Sequence, residues 1–326
     1  MYMKTKNPDI FLGVTMGLLV AAVLICILIL NTQKSKNETE TTNPPQIVNT
    51  DNTQLSGNET IAPIHTEAAP STEAPVQPQN LTPIKDAQLK ADLDESLRGL
   101  TSEWEVMVID PALETKVGSA VNCGVDDWMT ANRMTQVFIM GAVFQQAEEG
   151  KLVLDDVLDD VKAMIVSNDT YAADRLTEKL GGEDASKGRE NVKAFAVANG
   201  VKLGFNRSLS GSGSAKNYVT AQQTAEILSL ICSGKLVSEA ASRQMLDILM
   251  TPVDTLEIDT GLVGDDLKYG FIFDVESNTC VCAMGVVQLP NRSFVISIVC
   301  NKPVTIEGAK KKVTELISLV QPYFAE

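Results

Sequence analysis

Residues 132–156, NRMTQVFIMGAVFQQAEEGKLVLDD, decide how the rest of the chain is read. From Val137 to Phe144 every residue is apolar or glycine, so no face is left for water. Such a run predicts a helix over 132–149 that is buried on all sides, closed by Gly150. Its first turn carries Arg133-Met134-Thr135-Gln136. What those side chains can do depends on what the remaining sequence folds around them.

The chain has 326 residues, 44% of them hydrophobic, enough for one large domain or two small ones. Its formal net charge of −15 argues against nucleic acid as a partner, because phosphate binding needs clustered Lys and Arg. Residues 10–30, IFLGVTMGLLVAAVLICILIL, carry no charge. As a helix they would span about 31 Å, the thickness of a bilayer's hydrocarbon core. No Ala-x-Ala cleavage site follows, so residues 10–31 are expected to be an uncleaved membrane helix behind a cytoplasmic tail of residues 1–9. Lys4 and Lys6 before it and Lys34 and Lys36 after it orient it only weakly. The segment 37–84 holds no Lys or Arg and seven of the 13 prolines. Residues 32–85 therefore read as a disordered stalk rich in Thr, Pro, Asn and Glu, acidic and easily exported. The folded domain, 86–326, is expected outside the membrane.

His65, the only histidine, lies in that stalk. A domain without histidine cannot run Ser-His-Asp or Cys-His chemistry and has no imidazole for zinc. Five cysteines, Cys123, Cys232, Cys280, Cys282 and Cys300, fall in the domain, an odd number that argues against a fully paired framework. They read as buried thiols, with Cys282 and Cys300 across a hairpin as the one pairing to check. No cofactor or metal is called for.

From residue 86 onward the pattern is globular and acidic, with 22 Lys and Arg against 35 Asp and Glu, a net of −13. DAQLKADLDESLRGL (86–100) reads as an amphipathic helix, and WEVMVIDP (104–111) and TKVGSAVN (115–122) as a strand pair. Residues 155–250 are largely helical, with a Gly/Ser-rich loop at 208–217. Strand candidates follow at 267–275, 280–289 and 293–300, and a closing helix at 306–324. The expected class is α+β. Strands from both ends of the domain complete one antiparallel sheet packed by the terminal helices, and the middle makes an all-helical lobe.

This layout resembles the class A beta-lactamases and related penicillin-recognising serine enzymes over essentially all of 86–326. VMVIDPALETKVGSAVN resembles their first hairpin, and VFIMGAVFQQAEEGKLVLDD the body of the nucleophile helix. MIVSNDTYAADRLTEKLGG (164–182) is similar to the segment bearing Ser-Asp-Asn, and LKYGFIFDVESNTCVCAMGVVQLPNRSFVISIV to the Lys-Thr-Gly strand and its neighbours. The resemblance implies a cleft where a serine, followed one turn later by a lysine, attacks an amide or lactam carbonyl. It places Arg133 at the nucleophile and Gln136 at the lysine. No Ser-x-x-Lys occurs anywhere in 86–326. For the second cluster, the letters give Ser167-Asn168-Asp169, whereas the helix register gives Asn168-Asp169-Thr170 with Asp174 beyond. The plainer reading is that Ser167 or Asn168 caps the helix. For the third, Lys268-Tyr269-Gly270 keeps the lysine and glycine. No Glu-x-x-Leu-Asn element that could carry a deacylating glutamate appears between 183 and 216.

Two functions follow. In the first, the domain is a pseudoenzyme that binds cell-wall peptide or an envelope protein, with Arg133 and Lys268, beside Tyr269, gripping a carboxylate. In the second, it is a divergent hydrolase of beta-lactams or cell-wall peptide amides with a relocated nucleophile, Ser167 or Thr135. Thr135 lies about 200° around the helix from Arg133, which makes it a weak substitute.

Overall fold

The alternating residues of 104–121 and the near-continuous apolar runs of 271–300 need hydrogen-bond partners along their edges and cover on both faces. The computed structural model describes residues 82–326, apart from 125–126, 252–257, 277–278 and 326. In chain order it contains α1 (Asp86–Leu97), β1 (Glu103–Asp110), β2 (Thr115–Val121), β3 (Met129–Thr130), α2 (Gln136–Glu148), α3 (Leu158–Val166), α4 (Thr170–Leu180) and α5 (Ala185–Ala198). β4 (Tyr218–Val219), α6 (Ala221–Cys232), α7 (Glu239–Leu249), β5 (Lys268–Glu276), β6 (Cys280–Gln288), β7 (Ser293–Asn301) and α8 (Ile306–Val320) follow.

Five strands form one sheet in the order β2-β1-β7-β6-β5, every neighbouring pair antiparallel. The two ends of the domain meet where β1 pairs with β7, Glu103 opposite Asn301 and Ile109 opposite Val295. The period-2 alternation then sorts the side chains. Trp104, Val106, Val108, Phe294, Ile296 and Ile298 face the terminal helices and pack on Leu89 and Leu93 of α1 and Val313 and Leu316 of α8. Met107, Ile109, Cys282, Met284 and Val295 face the other way, into the helical lobe.

At the centre of that lobe is α2. Gln136 through Phe144 are all buried, which explains a helix apolar on every side. Arg133–Thr135 form a 3-10 turn ahead of it, so the regular helix starts later than the expected 132. After it, Gly150 takes the left-handed backbone (φ +67°) that closes the segment. The lobe is pinned to the sheet by polar contacts as well as packing. Buried Glu105 on β1 accepts the Ala221 N–H at 2.8 Å, holding the start of α6, and the Thr224 and Ser297 hydroxyls bond at 2.6 Å. On the opposite side of the domain, buried Arg292 donates to Asp110 and, at 2.8 Å, to the Thr82 carbonyl. One guanidinium thus joins the β6–β7 turn, the end of β1 and the first described residues.

Two differences from the sequence reading stand out. β3 and β4 form a two-stranded ladder too short to show any periodicity. The Cys282–Cys300 pairing is ruled out, because Cys300 lies opposite Val281 and faces the terminal helices, whereas Cys282 faces the lobe. All five domain cysteines are free thiols. The expected membrane helix (10–31) and the stalk up to residue 81 lie outside the described residues. Among the described residues no helix is long and apolar enough to cross a membrane.

Candidate functional site

A cleft of about 390 Å³ opens where the start of α2, the start of α4, the loop before β4 and the end of β5 converge. Its lining includes Arg133, Thr170, Arg207, Ser210, Lys216, Asp274 and Glu276. Two other cavities, one beside Arg292 and Tyr323 and one between the ends of α2, α4 and α5, hold none of the positions that the family resemblance singled out.

The start of α2 is fixed by β5. The Arg133 N–H donates to Asp274 Oδ2 at 2.9 Å, and the Asp274 carboxylate is buried. Burial pushes its pKa up, and the charge of Glu276 adds to this. The Arg133 and Asn132 N–H groups and the Arg133 charge pull the other way. One turn on, the Gln136 amide donates to Asn168 Oδ1 at 3.1 Å, and Asn168 donates to the Phe273 carbonyl at 3.2 Å. Asn168 reaches both because it sits between α3 and α4 in the left-handed region, φ +56°, which asparagine tolerates. This chain of amides links helix, lobe and strand, and among the described residues Gln136 Oε1 is left buried without a partner.

The fourth wall is the loop between α5 and β4. Asn217 is its anchor: its side chain accepts the N–H groups of Asn206 and Arg207 at 2.8 and 3.0 Å and donates to Asn132 Oδ1 at 2.7 Å. Asp174 on α4 holds the tip, accepting the Leu209 N–H at 2.8 Å and the Ser210 hydroxyl. Arg207 and Lys216 reach from this loop to Glu276 on β5, at 3.4 and 3.2 Å.

The structure therefore brings Arg133, Gln136, Asn168 and Thr170 together. It does not bring in the others. Thr135 is buried, and its hydroxyl donates to the Asn132 carbonyl at 2.7 Å. Ser167 is exposed at the end of α3, outside the cleft lining. Neither it nor Asn168 caps α4. That role falls to Asp169, which accepts the Tyr171 and Ala172 N–H groups at 2.8 and 3.2 Å.

Lys268, Tyr269 and Gly270 need a larger correction. They open β5, whereas the cleft is met by its end, Asp274 to Glu276, six residues and about 20 Å further on. Gly270 has a packing reason instead: a Cβ there would lie 1.8 Å from the Leu249 carbonyl oxygen. At the cleft end β5 reads Asp274-Val275-Glu276, without a lysine. The cations come from elsewhere. Residues 199–217 hold Lys202, Arg207 and Lys216 and no acid, a local reversal of the domain's charge that could have marked this loop in the sequence.

Burial raises Cys123 and Cys232 to about 11 and Cys300 to about 12, and holds Cys282 well above the ordinary thiol value. These four stay protonated at neutral pH.

Residues 156–320, just over half of the chain, match the model of the beta-lactamase enzyme family. The chain belongs to that family. The matched region of this beta-lactamase-family protein begins after α2, so the turn bearing Arg133 and Gln136 lies outside it. Among solved structures, the chain is similar to an ancestral class A beta-lactamase reconstructed for Gram-negative bacteria. The TM-score is 0.61 at 19% identity, covering 73% of this chain and 100% of the other. The TLA-3 extended-spectrum beta-lactamase gives 0.62 at 15% identity over 74% and 100%. A beta-lactamase from Sphaerobacter thermophilus gives 0.61 at 14% identity over 73% and 98%. At these identities the likeness establishes the fold. No curated protein matches this beta-lactamase-family sequence.

Proposed function

We propose that this member of the beta-lactamase family has lost the acyl-enzyme chemistry and binds a carboxylate-bearing ligand in its cleft. The ligand is the end of a cell-wall peptide or a carboxylate of an envelope protein. Residues 10–31 tether the domain to the outer face of the membrane. The observation that carries this reading is the start of α2, where Gln136 is buried against Asn168, and where the sequence resemblance sets Arg133 and Gln136 at the nucleophile and base positions. Arginine carries no nucleophile and does not lose its proton at physiological pH. Glutamine has no basic nitrogen with which to accept one.

The binding half rests on charge. In a domain of net −13, Arg133, Arg207 and Lys216 line one cleft. Guanidinium groups recognise carboxylates through two parallel hydrogen bonds, and a lysine adds a point charge. The alternative, a hydrolase with a relocated nucleophile, loses Thr135 to its bond with Asn132 and leaves Ser167 outside the cleft lining.

Calorimetric titration tests the binding claim. An N-acetylated dipeptide with a free C-terminal carboxylate is expected to bind, and the same peptide amidated at its C-terminus is not. Lys216→Met is expected to weaken the carboxylate peptide about tenfold, in line with the loss of one charge-assisted bond. Equal binding of the two peptides would contradict the proposal.

A further inference from the structure

Glu276 is the last residue of β5, on the same face as Asp274 two positions earlier. Its Oε1 receives Lys216 Nζ at 3.2 Å and Arg207 Nη2 at 3.4 Å. Both contacts are longer than the roughly 2.7–2.9 Å usual between charged groups. Arg207 also makes only one of the two parallel bonds that its fork can make to a carboxylate. Among the described residues, Arg207 Nε and Glu276 Oε2 are each buried without a partner. The carboxylate is thus held by both cations and well satisfied by neither.

We propose that Glu276 is a tethered stand-in for the ligand's carboxylate, and that it sets the affinity and selectivity of the cleft. This deepens the carboxylate-binding reading and rests on it. With Glu276 in place, Arg207, Lys216 and Glu276 together carry one positive charge. Once it swings away, the two cations face the ligand unopposed. An incoming carboxylate therefore has to displace an internal one that is attached to the same strand and present at high effective concentration. A ligand gains entry only if it offers the Arg207 fork and Lys216 better geometry than the long contacts of Glu276. The competing role, a simple staple between β5 and the 199–217 loop, predicts the opposite response to removing the charge, because a loosened loop would present its cations less well.

The experiment titrates full-length protein in detergent with the N-acetylated dipeptide carboxylate and with its C-terminal amide. Glu276→Gln is expected to bind the carboxylate peptide at least tenfold more tightly than the unaltered protein, with no change toward the amide. Glu276→Ala, which leaves no side-chain amide to bond the loop, is read alongside it and is expected to shift the same way. Adding Lys216→Met to Glu276→Gln is expected to remove the gain. If the unaltered protein prefers the carboxylate but Glu276→Gln and Glu276→Ala bind it equally or more weakly, Glu276 is a staple and the inference fails, while the cleft's function stands. If no variant distinguishes carboxylate from amide, the binding reading falls and takes this inference with it.

Discussion

At Asp274 a carboxylate is buried among Arg133, Asn132, Cys280 and Glu276, and burial raises its pKa above the ordinary 3.8. A raised carboxylate pKa means that the folded protein holds its proton to higher pH than the unfolded chain. As pH rises past 3.8, the unfolded state ionises first and gains ground, so the stability cost of this group grows until the folded state also ionises and is constant above that. Asp274→Asn keeps an oxygen for the Arg133 N–H and removes the ionisation. Its unfolding free energy, relative to the unaltered protein, is expected to rise with pH above 3.8 by up to about 1.4 kcal/mol per unit, then level off. Denaturant unfolding of both proteins from acid to neutral pH checks this, and a constant difference would contradict it. Nothing in the sequence marked Asp274, because an acid inside a strand pattern reads as a solvated position until its neighbours are known.

At the scale of elements, β5 shows why some of the site was legible and some was not. The alternation of 267–275 identified the strand, and period 2 kept Lys268, Gly270, Asp274 and Glu276 on one face. Periodicity fixes a face but not an end, so Lys268-x-Gly270 matched the family's letters about 20 Å from the cleft. Gly270 gives a test of its true role. Its Ala substitution would press a methyl group onto the Leu249 carbonyl and is expected to cost about 1–3 kcal/mol in denaturant unfolding, without altering peptide binding. A stable Gly270→Ala protein with impaired binding would return the glycine to the cleft. The loop of 199–217 shows in the sequence through its Gly/Ser content and its cations, but its place against the cleft does not. Its hold on the cleft comes from Asn217 and Asp174, side chains that bond backbone groups far along the chain and leave no periodic trace.

Over the whole molecule, composition and patterning were enough to anticipate one antiparallel sheet closed by strands from both ends, because both faces of that sheet are buried and its residues show it. The acyl-transfer machinery is a different matter. It depends on a nucleophile, a base and a positioned substrate acting together, and under the proposed reading, which lacks the first two, nothing is left for the third to accelerate. In this protein the scaffold is complete, while the start of α2 carries Arg133 and Gln136, and the cleft end of β5 carries Asp274 and Glu276. The most direct measurement is intact-mass spectrometry of the protein after incubation with a penicillin-type acylating probe. The expected result is an unchanged mass at every time point. A covalent adduct of the probe's mass, mapped to any residue lining the cleft, would contradict the proposed loss of chemistry.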